Sequence, residues 1–170
     1  DLLRTDENDR QGAPARAHGT DLRIGSFNVL NYFTSHSSVG GALNVLCADQ
    51  ADADSAKGCN RGAKSLEEFQ LQRTKIVNAI TEMDADLLGL MEMENNGFDE
   101  HAALSDLVQS LNARQKEASK QYAFVSLPKA LLTEDRFFGG DAIMVAMIYR
   151  PAKLTPSGEA GVIQLPQQRY

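Results

Sequence analysis

The amino-acid sequence predicts an α/β fold, and three features of the chain predict it. Two short apolar runs, Leu22-Arg23-Ile24-Gly25-Ser26-Phe27-Asn28 and Asp86-Leu87-Leu88-Gly89-Leu90-Met91-Glu92, have the character of buried strands, and a stretch with helical spacing lies between them. The second run offers no polar side to water, so it fits an interior strand covered on both faces. Each run also closes on an oxygen-bearing side chain, Asn28 and Glu92. Amide and carboxylate oxygens are hard donors suited to Mg²⁺ or Ca²⁺, and in open α/β sheets ligands collect beyond the carboxyl ends of strands. A strand-end glutamate that merely caps or pairs is the competing reading for Glu92 alone.

The totals fit one domain with a sizeable core: 170 residues, 42% hydrophobic and 24% charged. No apolar run approaches the roughly 20 residues of a membrane span, and no basic-then-apolar leader opens the chain. The formal charge of −6 leaves no broad basic surface for sequence-independent nucleic-acid binding. A phosphate-bearing substrate therefore needs metal ions or local Arg and Lys to offset the repulsion. Residues 1–20 are polar and read as a linker or processed leader, with the domain occupying 21–170.

After the first strand comes a polar insertion, Val39 to Lys64, that holds both cysteines, Cys47 and Cys59. No His or further Cys stands at zinc-ligand spacing around them. The pair reads better as a disulfide, and hence an oxidising compartment, than as two free thiols. Ser65 followed by Glu68 forms a capping box, and Leu66, Phe69, Ile76, Val77, Ile80 and Met83 recur at helical spacing behind it. The short Asp84-Ala85 link then leads into a strand from Asp86 to Met93. Strand, helix, strand is the pattern of a right-handed crossover, and it brings Asn28 and Glu92 to one sheet edge.

Beyond the loop Glu94-Asn95-Asn96-Gly97, the stripe Leu104, Leu107, Val108 and Leu111 predicts a second core-facing helix. Tyr122 to Leu127 and Ala142 to Tyr149 read as strands, separated by a loop from Pro128 to Gly140. The last residues, Leu165 to Tyr170, supply neither a closing strand nor a helix, as expected of a chain cut inside a domain. His18, His36 and His101 fall in the leader, the insertion and a helix start, where surface or capping duty is the expectation.

Ser26-Phe27-Asn28-Val29, then Asp86 to Glu92, then Ile148-Tyr149-Arg150-Pro151 follow the order and character of the endonuclease/exonuclease/phosphatase superfamily, and the chain from Leu22 onward resembles that deoxyribonuclease I-like fold. Cys59-Asn60-Arg61-Gly62-Ala63 and Met91-Glu92-Met93-Glu94-Asn95-Asn96 look like secreted bacterial nucleases of the ExeM type. The resemblance implies the N-terminal half of a four-layered α/β/β/α sandwich and a metal-dependent phosphodiesterase that is extracellular or periplasmic. It further implies DNA as the substrate, with RNA as an alternative, and Mg²⁺ as the cofactor, with Ca²⁺ or Mn²⁺ as alternatives. Asn28 and Glu92 stand at the family's Asn and metal-binding Glu, although Met91 replaces the Gln that precedes that Glu.

Glu94 is a rival metal ligand, because strand parity places it on the same side as Glu92. Asp141 lies near the position of the acid that orients the family's catalytic His. The general base is expected from the complementary C-terminal half, the implied partner besides DNA or another phosphodiester. The resemblance also admits a phosphatase or sphingomyelinase-like member, and loss of the site would leave a noncatalytic module. Retention of both Asn28 and Glu92 argues against that loss.

Overall fold

A computed structural model of the chain describes residues 22–35 and 61–162. The leader, most of the cysteine-bearing insertion and the final residues lie outside them, as do the expectations made for Cys47, Cys59, His18 and His36. The described residues form a mixed α/β unit of a four-stranded sheet and two helices. In chain order these are β1 (Ile24–Tyr32), α1 (Leu66–Met83), β2 (Leu87–Glu94), α2 (Ala103–Arg114), the short β3 (Ala123–Phe124) and β4 (Ile143–Tyr149).

The sheet order is β1-β2-β4-β3, with β1 parallel to β2 and the other two pairs antiparallel. The crossover pattern read from the sequence is thus realised as two adjacent parallel strands joined through α1. Helix α1 starts where the capping box requires: the Glu68 N–H donates to Ser65 Oγ at 3.1 Å, and the Glu68 carboxylate reaches back to the Lys64 N–H at 2.8 Å. It stops at Asp84, whose left-handed φ of 49° lets its N–H donate to the Ile80 and Thr81 carbonyls.

Both helices bury their apolar stripes on one sheet face. Phe69, Ile76, Val77 and Ile80 of α1 and Leu104, Leu107, Val108 and Leu111 of α2 join Val29, Leu88, Leu90, Met93 and Ile148 in one core. The other face is apolar but open: Ile24 is 68% exposed, Val145 66% and Met147 43%. Among the described residues the two-sided coverage expected of β2 is therefore present on the helix side only. The strand expected over Tyr122 to Leu127 shrinks to two residues plus one further bond, from the Val125 N–H to the Met147 carbonyl. It then gives way to Pro128, which cannot donate to a ladder.

Candidate active site

The site begins as a defect shared by two neighbouring strands. Asn28 pairs with Met91, and just beyond that level the β1–β2 register shifts, while the β2–β4 register shifts between Leu90 and Met93. The backbone turns left-handed at Leu30 (φ 54°), Asn31 (φ 50°) and Glu92 (φ 60°). Each such residue costs about 1–2 kcal/mol, so its surroundings must hold it there. The Leu30 N–H donates to Asn28 Oδ1 at 2.7 Å. Gln72 of α1 donates from Nε2 to the Leu30 carbonyl at 2.7 Å and to the Val29 carbonyl at 3.3 Å.

This kink aims two amides at one carboxylate. Asn28 Nδ2 donates to Glu92 Oε1 at 2.7 Å, and Asn31 Nδ2 donates to Glu92 Oε2 at 3.0 Å. Charge-assisted bonds of this kind are roughly twice as strong as neutral ones, and they fix the carboxylate plane while leaving lone-pair directions for another ligand. Asn28 and Glu92, 64 positions apart, therefore meet as the crossover requires. Asn31 was missed by sequence reasoning. Its signal was present, since Asn tolerates the left-handed region better than most residues and lies close after Asn28 in the same strand.

Glu94 has a different place from the one parity gives it. Leu90 and Met93, three positions apart, both point into the main core, so one extra residue is inserted at the Glu92 bulge and the alternation is broken. Glu94 is fully buried, and its Oε2 accepts from the Thr34 N–H at 2.7 Å, the Thr34 hydroxyl at 3.3 Å and the Ser35 N–H at 3.2 Å. It holds the chain leaving β1. Asn95 and Asn96 continue this work. Asn95 Nδ2 donates to the Phe138 and Asp141 carbonyls at 2.9 and 2.8 Å, and Asn96 Oδ1 accepts the Ala103 N–H at 2.9 Å at the start of α2.

Asp141 lies beyond the same end of the sheet, just ahead of β4, but its side chain does not join the Asn28–Glu92 pair. Its Oδ1 accepts from the Ile143 N–H at 3.2 Å and meets Arg61 at 3.5 Å. His101 is a surface residue beside Glu100, as expected. Among the described residues no group of three or more His, Cys, Asp and Glu gathers around a common point. The donor set still fits a hard cation of the Mg²⁺ type, which is commonly held through one or two carboxylates and completes its shell with water and substrate phosphate oxygens.

Family models, curated proteins and solved structures give no match to this chain. The site stands on its geometry.

The opposite end of the sheet carries a cluster of ion pairs. Arg150, buried at the end of β4, pairs with Asp84 at 2.7 Å and Asp86 at 3.3 Å and lies over the Tyr122 ring. Arg23 and Lys120 reach Asp84 at 2.8 and 3.2 Å. Burial raises the Asp84 carboxyl, but the bonds from Arg150, Arg23 and Lys120 outweigh it and hold the group well below the usual carboxylate range. Burial likewise pushes the Tyr122 hydroxyl up. This cluster clamps the starts of β1 and β2 to the end of β4, which fixes the strand register that brings Asn28 to Glu92.

Proposed function

We propose that the chain carries part of the site of a metal-dependent phosphodiester hydrolase, a secreted nuclease acting on DNA, with Glu92 as the metal anchor. One observation supports the reading above the others: a carboxylate gripped by two asparagine amides at the carboxyl ends of adjacent parallel strands, where both strands break into left-handed backbone. A cation bound there neutralises charge developing on the phosphoryl oxygens. Asn28 and Asn31 set the direction of the Glu92 oxygens, and Gln72 holds the turn that carries both amides.

The fold in this reading is the helix-covered half of a four-layered sandwich. The open sheet face with Ile24, Val145 and Met147, and the apolar groove of about 550 Å³ between Met91, Phe98, Phe138 and Val162, are where a second sheet packs and brings the general base. Among the described residues no helix is long and apolar enough to cross a membrane.

The test is DNA hydrolysis by the complete domain across a Mg²⁺ titration. Glu92→Gln keeps the shape, removes the charge and retains an acceptor for only one of the two asparagine amides, so it should lower activity by about a hundredfold or more while the melting temperature falls by only a few degrees. Asn28→Ala should fall near it. Glu94→Gln should lower stability and cost far less activity per folded molecule. Full activity of Glu92→Gln at ordinary Mg²⁺, or a larger loss for Glu94→Gln, refutes the assignment.

A further inference from the structure

The Glu92 pair is negative, the chain is negative, and a phosphodiester is negative, so a cation on protein is needed at the rim. Arg61 stands there. Its neighbour Gly62 has φ +79°, and a Cβ at that position would lie 2.8 Å from Phe33 Cβ and 3.1 Å from the Asn31 carbonyl oxygen. Only glycine lets this segment lie so close to the end of β1. Arg61 is thus tethered one residue from Asn31, whose amide holds Glu92 Oε2. Phe33 in turn packs with Ala142, the residue after Asp141, in a small second core. Through these contacts the Arg61 backbone is fixed between the Glu92 pair and the start of β4.

The side chain itself is only lightly held. Its Nη1 meets Asp141 Oδ1 at 3.5 Å, with Arg61 34% and Asp141 63% exposed. Exposed pairs with such spacing bind weakly. The Asp141 backbone, by contrast, is rigid, because its carbonyl accepts from the buried Asn95. A planar guanidinium that is anchored at its base and weakly engaged at its tip suits a group that exchanges a carboxylate for a phosphate, which it can grip with two parallel N–H donors.

We propose that Arg61 binds the phosphodiester backbone of a DNA substrate beside Glu92, and that Asp141 competes with phosphate for the guanidinium and gives it up when substrate arrives. The assignment rests on the phosphodiester reading of the Glu92 site and gives Asp141 a task other than orienting a histidine.

Equilibrium binding of a fluorescein-labelled short DNA duplex to the full chain, followed by anisotropy over a salt series, tests it. Arg61→Ala should weaken binding by about tenfold or more and lower the slope of log affinity against log salt by about one. Arg61→Lys should restore the slope but only part of the affinity, because the fork geometry is lost. Asp141→Asn keeps the acceptor for the Ile143 N–H and removes the competing charge, so it should tighten binding by about two- to fivefold. An unchanged salt slope in Arg61→Ala, or weaker binding by Asp141→Asn, overturns the proposal and leaves the hydrolase reading standing. The expected binding pattern combined with no DNA hydrolysis by the wild-type complete domain across a Mg²⁺ titration overturns the hydrolase reading instead and leaves Arg61 as a phosphate-backbone contact. A wild-type chain that does not bind the duplex overturns the Arg61 assignment, and the hydrolysis test on the complete domain then decides the hydrolase reading by itself.

Discussion

Replacing Asp84 by Asn isolates the charge at the far end of the sheet. Asp84 closes α1 in a left-handed conformation that Asn also adopts readily, so the backbone turn survives the change. What is lost is the anion facing Arg150, Arg23 and Lys120. Arg150 decides the magnitude, because its side chain is only 5% exposed and Asp84 is 15% exposed. Breaking a buried pair costs about 3–5 kcal/mol, but Arg150 keeps Asp86 at 3.3 Å, so the lower end applies, about 3 kcal/mol. Arg23 and Lys120 are more than a third exposed, and solvent screens their share to under about 1 kcal/mol each. For a chain of this size about 3 kcal/mol corresponds to a fall in Tm of about 6–12 °C. Urea and thermal unfolding of the wild type, Asp84→Asn and Lys120→Ala measure it. A loss below about 0.5 kcal/mol for Asp84→Asn, or an equal loss for Lys120→Ala, refutes the burial argument.

The same carboxylate predicts a pH dependence: its folded pKa lies below the unfolded value near 3.9, so its contribution is complete above about pH 4 and is lost as pH falls through the lower folded value. The stability gap between wild type and Asp84→Asn should therefore narrow on acidification below about pH 4, measured by urea melts in a pH series. Leu30→Gly relieves a left-handed leucine that is 70% exposed, and it should stabilise by about 0.5–1 kcal/mol in the same assay. Gly62→Ala meets both an unfavourable φ and the Phe33 side chain, and it should destabilise by about 2 kcal/mol or more.

Local rules made much of this legible before any coordinates. Ser65 and Glu68 announce the start of α1 because capping chemistry is short-range, and the stripe from Phe69 to Ile80 faces the core because helical spacing leaves it one partner. The meeting of Asn28 with Glu92 followed from topology alone. The misplacement of Glu94 has an equally physical cause. Parity holds only while strands alternate, and nothing in Met91-Glu92-Met93-Glu94 marks the bulge, since glutamate in left-handed backbone is held by tertiary partners and not by its own preference. Asn95 and Asn96 read from sequence as a polar loop, although both are buried and each organises a different segment. Buried amides and solvated ones have the same letters.

The central place of β2 sets how the chain reaches this structure. Arg23 lies 63 positions before Asp86 and Arg150 lies 64 after it, so the middle strand acquires its two flanks through two long loop closures of similar length. Neither flank is favoured by proximity, and pairing of such separated segments is slow compared with formation of α1 and α2 on either side of β2. Contact order therefore predicts that the helix pair and β2 form the early body and that β1 and β4 arrive late. The carboxylates of Asp84 and Asp86, at the turn between α1 and β2, await cations from both latecomers. Because Asp84 takes Arg23 from one side and Arg150 from the other, release of either strand loosens the other, and the amide protons of β1 and β4 should exchange with solvent as one unit.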